Sequence, residues 1–343
     1  MFKRILVPLD GSTLAEQALP AAARLARATG GSVLLVRIVN PLPEFGLYTA
    51  ETAPYLRDIL DERLTQATMY LAQVAAAKPL DGVKTRIAVF SGAIAPYILD
   101  VVHDEQIDLI VISSHGYSGF KRWTLGSIAQ KVIHHSPVPV LLLRQHGQML
   151  SGLSPLVPHP VRALVALDGS SFAETALRPA VELVTALSAP VRGEIQLTQL
   201  VKPPTVEEEL TYEHLDIDVD IRQATLYKSG EYLHNVRERL LQEMPDTDIN
   251  ITWSVEEGYD TAETLIKLAE RGEGIASQQP CDLIVMATHG RGGLQRWLLG
   301  SITERVLEHS SLPALIVRSK EPVAKEPEPN QEEEALLQGI GFD

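Results

Sequence analysis

One cysteine, Cys281, stands among 343 residues. No disulfide can therefore close within the chain. The thiol sits just before an apolar strand-like run and reads as a buried, inert side chain rather than a nucleophile. Long apolar runs are also missing. Nothing approaches the roughly 18 apolar residues of a spanning helix, so no membrane insertion is expected. The opening MFKRILVPLDGS meets a turn after a short apolar run, unlike a secretory leader. Positive charge is scarce, with 30 Lys and Arg against 44 Asp and Glu, a net −14. A surface that grips nucleic-acid phosphates needs clustered cations, so no nucleic-acid partner is expected. These absences point to a soluble, cytoplasmic protein. Neither a G-x-x-x-x-G-K-S/T loop nor an S-G-G-x-D-S loop occurs, and no catalytic residue can be assigned.

What the chain does have is repetition. SSHGYSGFKRWTLGS (Ser113–Ser127) returns as ATHGRGGLQRWLLGS (Ala287–Ser301), with eight of fifteen positions identical. RILVPLDGSTLAEQALP returns as RALVALDGSSFAETALR. A unit of about 160 residues is too long for a solenoid repeat and marks two whole domains. Asp10 and Asp168 are 158 apart, whereas His115 and His289 are 174 apart, so the second copy carries sixteen extra residues. The loop RGEGIASQQP before Cys281 is one visible surplus. The predicted division is domain one at 1–146, a Gly/Ser/Pro-rich linker at 147–160, domain two at 161–319, and an acidic, disordered tail at 320–343.

Each half alternates short, continuous apolar runs with helix-patterned segments. Such runs fit strands buried on both faces, and the alternation predicts an α/β fold of two tandem doubly wound parallel five-stranded sheets. Thr13 with Glu16, and Ser171 with Glu174, fit capping boxes at the first helix. Ligands of such sheets bind beyond the carboxyl ends of the strands. Three repeated features fall at that rim: the LDGS turn, the SHG or THG turn, and a Gly-Ser at the last helix start. Gly116 and Gly290 can expose bare backbone N–H groups, and Gly126-Ser127 and Gly300-Ser301 bring backbone close at a helix start that favours phosphate. Asp10 and Asp168 suit a ribose hydroxyl or base amine at the nucleoside end. Alternative readings stay open. Ser127 with Gln130 and Ser301 with Glu304 also fit capping boxes, His115 and His289 can hydrogen-bond their loops, and Trp123 and Trp297 can simply pack.

These residues carry a resemblance. ILVPLDGS opening a domain and SSHGYSGFKRWTLGSIAQKVIHHSPVPVLLLR closing it strongly resemble the universal stress protein family. ALVALDGS and ATHGRGGLQRWLLGSITERVLEHSSLPALIVR resemble it again, so that Phe2–Arg144 and Val161–Arg318 are covered. The family's ATP-binding branch carries G-x-x-G, nine residues and G-S/T, and both halves keep that spacing from Gly116 and Gly290.

The resemblance implies a Rossmann-like fold of the adenine nucleotide alpha hydrolase-like type, binding ATP with Mg or Mn held through the phosphates. It places Pro8, Asp10 and the backbone of Ile38 at the adenosine end. Ser113, His115, Gly116, Gly126, Ser127 and Ile128 fall around the phosphates. In the copy the matching residues are Asp168, Leu200, Ala287, His289, Gly290, Gly300, Ser301 and Ile302. Ser113 and Ala287 replace the motif's first glycine, and Ala166 replaces Pro8. The family's fifth strand pairs antiparallel in dimers. A tandem chain can make that pairing within itself, as an intramolecular pseudo-dimer, with a homodimer of whole chains as a further option. The implied function is an ATP-binding stress-response or regulatory protein. The alternatives are a slow ATPase and a nucleotide-free scaffold for protein or lipid partners. Leu42–Tyr55 reads as a lid over the first site.

Overall fold

Uninterrupted Ile, Leu and Val form strands that are covered on both faces, because alternation is only needed where one face meets water. The computed structural model describes residues 2–40, 53–114, 125–144, 159–203, 221–273, 279–288 and 299–318. The first half runs β1 (Arg4–Pro8), α1 (Thr13–Glu16), α2 (Leu19–Thr29), β2 (Ser32–Val39), α3 (Ala53–Ala75), β3 (Lys84–Ser91), α4 (Ile94–Asp104), β4 (Leu109–Ser113), α5 (Ser127–His135) and β5 (Val140–Leu143). The second half repeats it as β6 (Arg162–Leu167), α6 (Ser171–Glu174), α7 (Leu177–Ser188), β7 (Gly193–Val201), α8 (Ile221–Glu243), β8 (Ile249–Glu257), α9 (Thr261–Arg271), β9 (Leu283–Ala287), α10 (Ser301–His309) and β10 (Ala314–Val317). The predicted linker is described only at His159 and Pro160. The tail at 320–343 lies outside the described residues.

The strands form one ten-stranded sheet ordered β3-β2-β1-β4-β5-β10-β9-β6-β7-β8. Five are parallel in each half, as the alternating pattern predicts. The two sheets do not stay separate. β5 and β10 pair antiparallel, with Leu141 opposite Leu315. Both leucines are fully buried. Without that pairing each half would end in an apolar strand with unsatisfied backbone groups.

One core cluster lies on the α2 and α7 face of the sheet and runs through both halves, and α2 packs directly on α7. The other face carries α4 and α5 in the first half and α9 and α10 in the second. Arg144, buried just after β5, donates to the Leu307 carbonyl of α10 and so crosses the joint. Burial lowers its pKa to about 10, opposed by Glu270.

Strand register locates the sixteen extra residues. Arg4 and Arg162 differ by 158, and their partners Ser32 and Glu194 differ by 162. Lys84 and Asn250 differ by 166, and Leu109 and Leu283 by 174. The surplus is therefore spread over the three intervals from β6 to β9, is largest just before β9, and adds nothing between β9 and β10, since Val140 and Ala314 also differ by 174. Cys281 is buried and its thiol is pushed up to about 11 by burial, which keeps it protonated and unreactive.

Candidate functional site

At the end of β1 the chain turns through Gly11 at φ 92°, a left-handed conformation that a Cβ would strain. Asp10 Oδ1 accepts from the Ser12 amide at 2.9 Å and from its hydroxyl at 2.6 Å. Ser12 Oγ in turn accepts from the Ala15 amide at 3.1 Å. The copy is nearly superimposable in its bonding. Gly169 has φ 82°, and Asp168 Oδ1 takes the Ser170 amide at 2.9 Å and hydroxyl at 2.6 Å. One oxygen of each aspartate thus shapes the turn. The helix caps are Ser12 and Ser170, one residue before the Thr13 and Ser171 of the predicted boxes. The Asp-to-Ser bond holds the serine extended, so its hydroxyl reaches the amide three residues on.

The glutamates of those expected boxes are used elsewhere. Tyr70 donates to Glu16 at 2.9 Å, and Arg239 pairs with Glu174. Tyr70 lies under the Arg37 guanidinium, 4.9 Å from ring centroid to Cζ. A Cβ on Gly11 would come within 3.1 Å of that guanidinium, so the turn, Arg37 and Tyr70 form one packed unit. Burial and then Glu16 push the Tyr70 phenol well above its ordinary range, while Arg37 opposes them. Tyr232 is raised in the same way by burial and Glu174. Motif reading missed this pair, although Y-L-x-x-V recurs at Tyr70 and Tyr232. Tyr70→Phe should remove the donor from the half-buried Glu16 carboxylate. The expected loss is about 1 kcal/mol, seen as a Tm about 2–4 °C lower in a thermal melt. An unchanged Tm would show that water replaces the phenol at no cost.

The start of the last helix is the second repeated feature. Gly126 and Gly300 are the N-caps, both extended, with φ/ψ of −61°/143° and −59°/139°. Ser127 and Ser301 are exposed first-turn residues and do not act as N-caps. The S-x-x-Q/E reading of these serines therefore fails at both sites. A glycine at the N-cap has no side chain to accept from the first amides, which leaves them to a ligand or water. The glycines are also held close to the preceding strand. Gly126 donates to the Ser114 carbonyl at 2.8 Å and Gly300 to the Thr288 carbonyl at 2.7 Å. A Cβ on Gly300 would sit 3.1 Å from that carbonyl oxygen. Ser113 and Ala287 are the buried last residues of β4 and β9. Thr303 Oγ1 donates to the Ala287 carbonyl at 3.1 Å and pins α10 there.

Pro8 ends β1, while Ile38 and Leu200 are the penultimate residues of β2 and β7. Ile128 and Ile302 open the two helices beside the serines. The fold thus brings Pro8, Asp10, Ile38, Ser113, Gly126, Ser127 and Ile128 to one carboxyl rim. Asp168, Leu200, Ala287, Gly300, Ser301 and Ile302 gather at the other rim. His115, Gly116, His289 and Gly290 lie outside the described residues, as do Trp123, Trp297 and positions 42–52 of the expected lid. Among the described residues no three His, Cys, Asp or Glu side chains converge as a metal site.

The rims differ in charge. Arg37 has Gln199 as its register equivalent, and Gln130 of α5 matches Glu304 in the first turn of α10. The second rim also carries ion pairs. Arg222 bonds Glu257, with Nε–Oε1 at 2.6 Å, and Arg305 bonds Asp260 at 2.6 Å. Arg305 holds the Asp260 carboxyl below the usual carboxylate range, and Arg222 does so for Glu257.

The chain was compared with known proteins. A universal stress protein of Thermus aquaticus is 37% identical over 145 residues, 42% of this chain and all of that one. One from Mycolicibacterium smegmatis is 24% identical over 331 residues, 92% of this chain and 97% of its own. The crystal structure of a universal stress protein from Archaeoglobus fulgidus covers 92% of this chain and 96% of its own at 20% identity, with a TM-score of 0.55, a likeness of fold. The Usp family model matches residues 1–144 and again 161–318. The chain therefore belongs to the universal stress protein family and carries its domain twice.

Proposed function

We propose that the protein binds an adenine nucleotide at the carboxyl rim of its halves and acts as a stress-response or regulatory switch. The observation that carries this reading is the glycine-started, sterically tight helix opening at the end of β4 and again at the end of β9. Amides at Ser127 and Ile128, and at Ser301 and Ile302, face a position suited to phosphate oxygens, with the hydroxyls of Ser127 and Ser301 as further donors. The family resemblance adds Gly116, Gly290, His115 and His289 to the proposed site, all outside the described residues. Asp10, Ile38 and Pro8, with Asp168 and Leu200, flank the nucleoside end. The ligand is ATP, whose Mg or Mn is held through the phosphates.

Regulation would follow if ATP binds one conformation better than another, since differential affinity is what moves such an equilibrium. The chain offers no Walker lysine and no assigned base, so turnover is at most slow. The first rim is the better polyphosphate site. Gln130 of α5 leaves the first turn there neutral, whereas Glu304 sets a carboxylate in the first turn of α10.

Titration with ATP and Mg, read by thermal shift, tests the proposal. At a ligand concentration 100 times Kd the native state gains about 2.7 kcal/mol, a clear rise in Tm. No shift at millimolar ATP would make the protein a nucleotide-free scaffold instead. Phosphate release that vanishes in a Ser127→Ala, Ser301→Ala double variant would make it a slow ATPase.

A further inference from the structure

The two halves carry opposite charge at one matching place beside the sheet. In the first half the end strand β3 and the outer side of α4 enclose a cleft of about 450 Å3. That is within the roughly 300–1,000 Å3 of small-molecule sites. Phe90 and Tyr97 form one wall, and Asp100, Asp104 and Glu105 follow along α4. The two rings stack with centroids 6.0 Å apart and planes at 28°. Tyr97 nevertheless stays 38% exposed, so its ring is open to a ligand.

Strand register and helix length give the counterparts in the copy. Ile38 pairs with Phe90, and Leu200 with Glu256, each penultimate in its strand. The helices α4 and α9 are both 11 residues long. Tyr97 covers Gly92 as Thr264 covers Gly258, which aligns the two helices. Asp100 then matches Lys267, and Asp104 matches Arg271. In place of two rings the copy has a carboxylate and a hydroxyl. In place of two carboxylates it has two cations.

The sign in the first half runs against the helix. The carbonyl end of a helix favours cations and repels carboxylates. The last turn of α9 obeys this with Arg271. By contrast, α4 closes on Asp104, with Glu105 as its C-cap. Arg86 bonds Glu105 at 2.6 Å, and His103 stands 3.4 Å from Asp104. The exposed Asp100 carboxylate has no partner among the described residues. Negative charge is thus left uncompensated beside an open aromatic face.

We propose that this cleft binds a linear aliphatic polyamine. An ammonium over the Tyr97 ring is drawn by the ring quadrupole. Further ammoniums meet Asp100 and Asp104, which stand about 6 Å apart along the helix axis. Ammoniums joined by a butylene spacer have a comparable separation. The methylenes between them lie against Phe90 and the buried Val101. A lysine or arginine of a partner protein brings one cation, whereas the row from Tyr97 to Asp104 spans about 10 Å of helix. A flexible chain with several cations fits that row. The site lies apart from the phosphate cradles at α5 and α10 and goes beyond the nucleotide-binding reading without resting on it.

The test titrates the full chain with spermidine in a calorimeter, without nucleotide and at low ionic strength. One saturable site is expected, lost at high salt. Asp100→Asn with Asp104→Asn should weaken it about tenfold. Tyr97→Ala should weaken it about two- to fivefold, while Tyr97→Phe, which keeps the ring, should bind as the parent does. All these positions are exposed, so the fold is retained, which circular dichroism checks. No heat at millimolar spermidine overturns the proposal. So do many weak sites that the variants leave unchanged, since a chain of charge −14 attracts any cation. So does a single site at which Tyr97→Ala and the double variant match the parent. Binding of an arginine-rich peptide where spermidine gives no heat would make the cleft a protein-docking site and overturn it as well.

Discussion

Leu141→Asp, or Leu315→Asp, should leave no cooperatively folded chain. The two leucines face each other across the only antiparallel pairing in the described sheet, and neither is exposed. Losing one buried leucine forfeits about 1.5–3 kcal/mol. Burying a carboxylate there adds a desolvation cost of several kcal/mol. Against a typical total of about 5–15 kcal/mol, the sum is disabling. The core is continuous through the joint on both faces, so the damage cannot be confined to one half. Leu141→Ala, which only makes a cavity, should cost about 2–5 kcal/mol and still fold. Circular dichroism during urea titration reads both. A Leu141→Asp chain with the parent midpoint would mean that the halves fold without their joint.

The second large effect concerns ligand. Gly126→Val with Gly300→Val should weaken ATP binding by about a hundredfold or more, the loss of several amide-to-phosphate hydrogen bonds. A branched side chain at the N-cap fills the space where phosphate oxygens approach. The backbone itself tolerates valine, since φ is near −60° at both glycines. At Gly300 the new Cβ also presses on the Thr288 carbonyl at 3.1 Å, so a modest fall in Tm is expected there. Ser127→Ala, which removes one exposed hydroxyl, should cost only a few-fold. Fluorescence competition with a labelled ATP analogue measures all three. Equal affinity in the double variant would place the phosphates elsewhere.

Much of this was legible without coordinates. The alternation of apolar runs and helix patterns gave the strand and helix order of each half, and the repeat gave the duplication. The LDGS turn and the Gly-Ser pairs fell at the rim as expected. The capping residue was misjudged by one position. Thr13 and Ser12 look equally able to cap in sequence, and only the bond from Ser12 to Asp10 decides between them. The serines at 127 and 301 were left with two readings, and the N-cap position of the glycines before them excludes the capping one.

The sequence by itself determined which segments are strands and helices, that the unit occurs twice, and which small residues border the rim. Those features depend on local chemistry and on periodicity, which a linear string records in full. The resemblance already implied the antiparallel pairing of β5 with β10; only the tertiary structure decided its register, that Tyr70 bonds Glu16, and that Phe90 and Glu256 occupy the same place in the two halves. Each of these brings together residues distant along the chain. Their meeting depends on strand register and crossover geometry, which the sum of packing and backbone hydrogen bonding sets for the whole molecule at once.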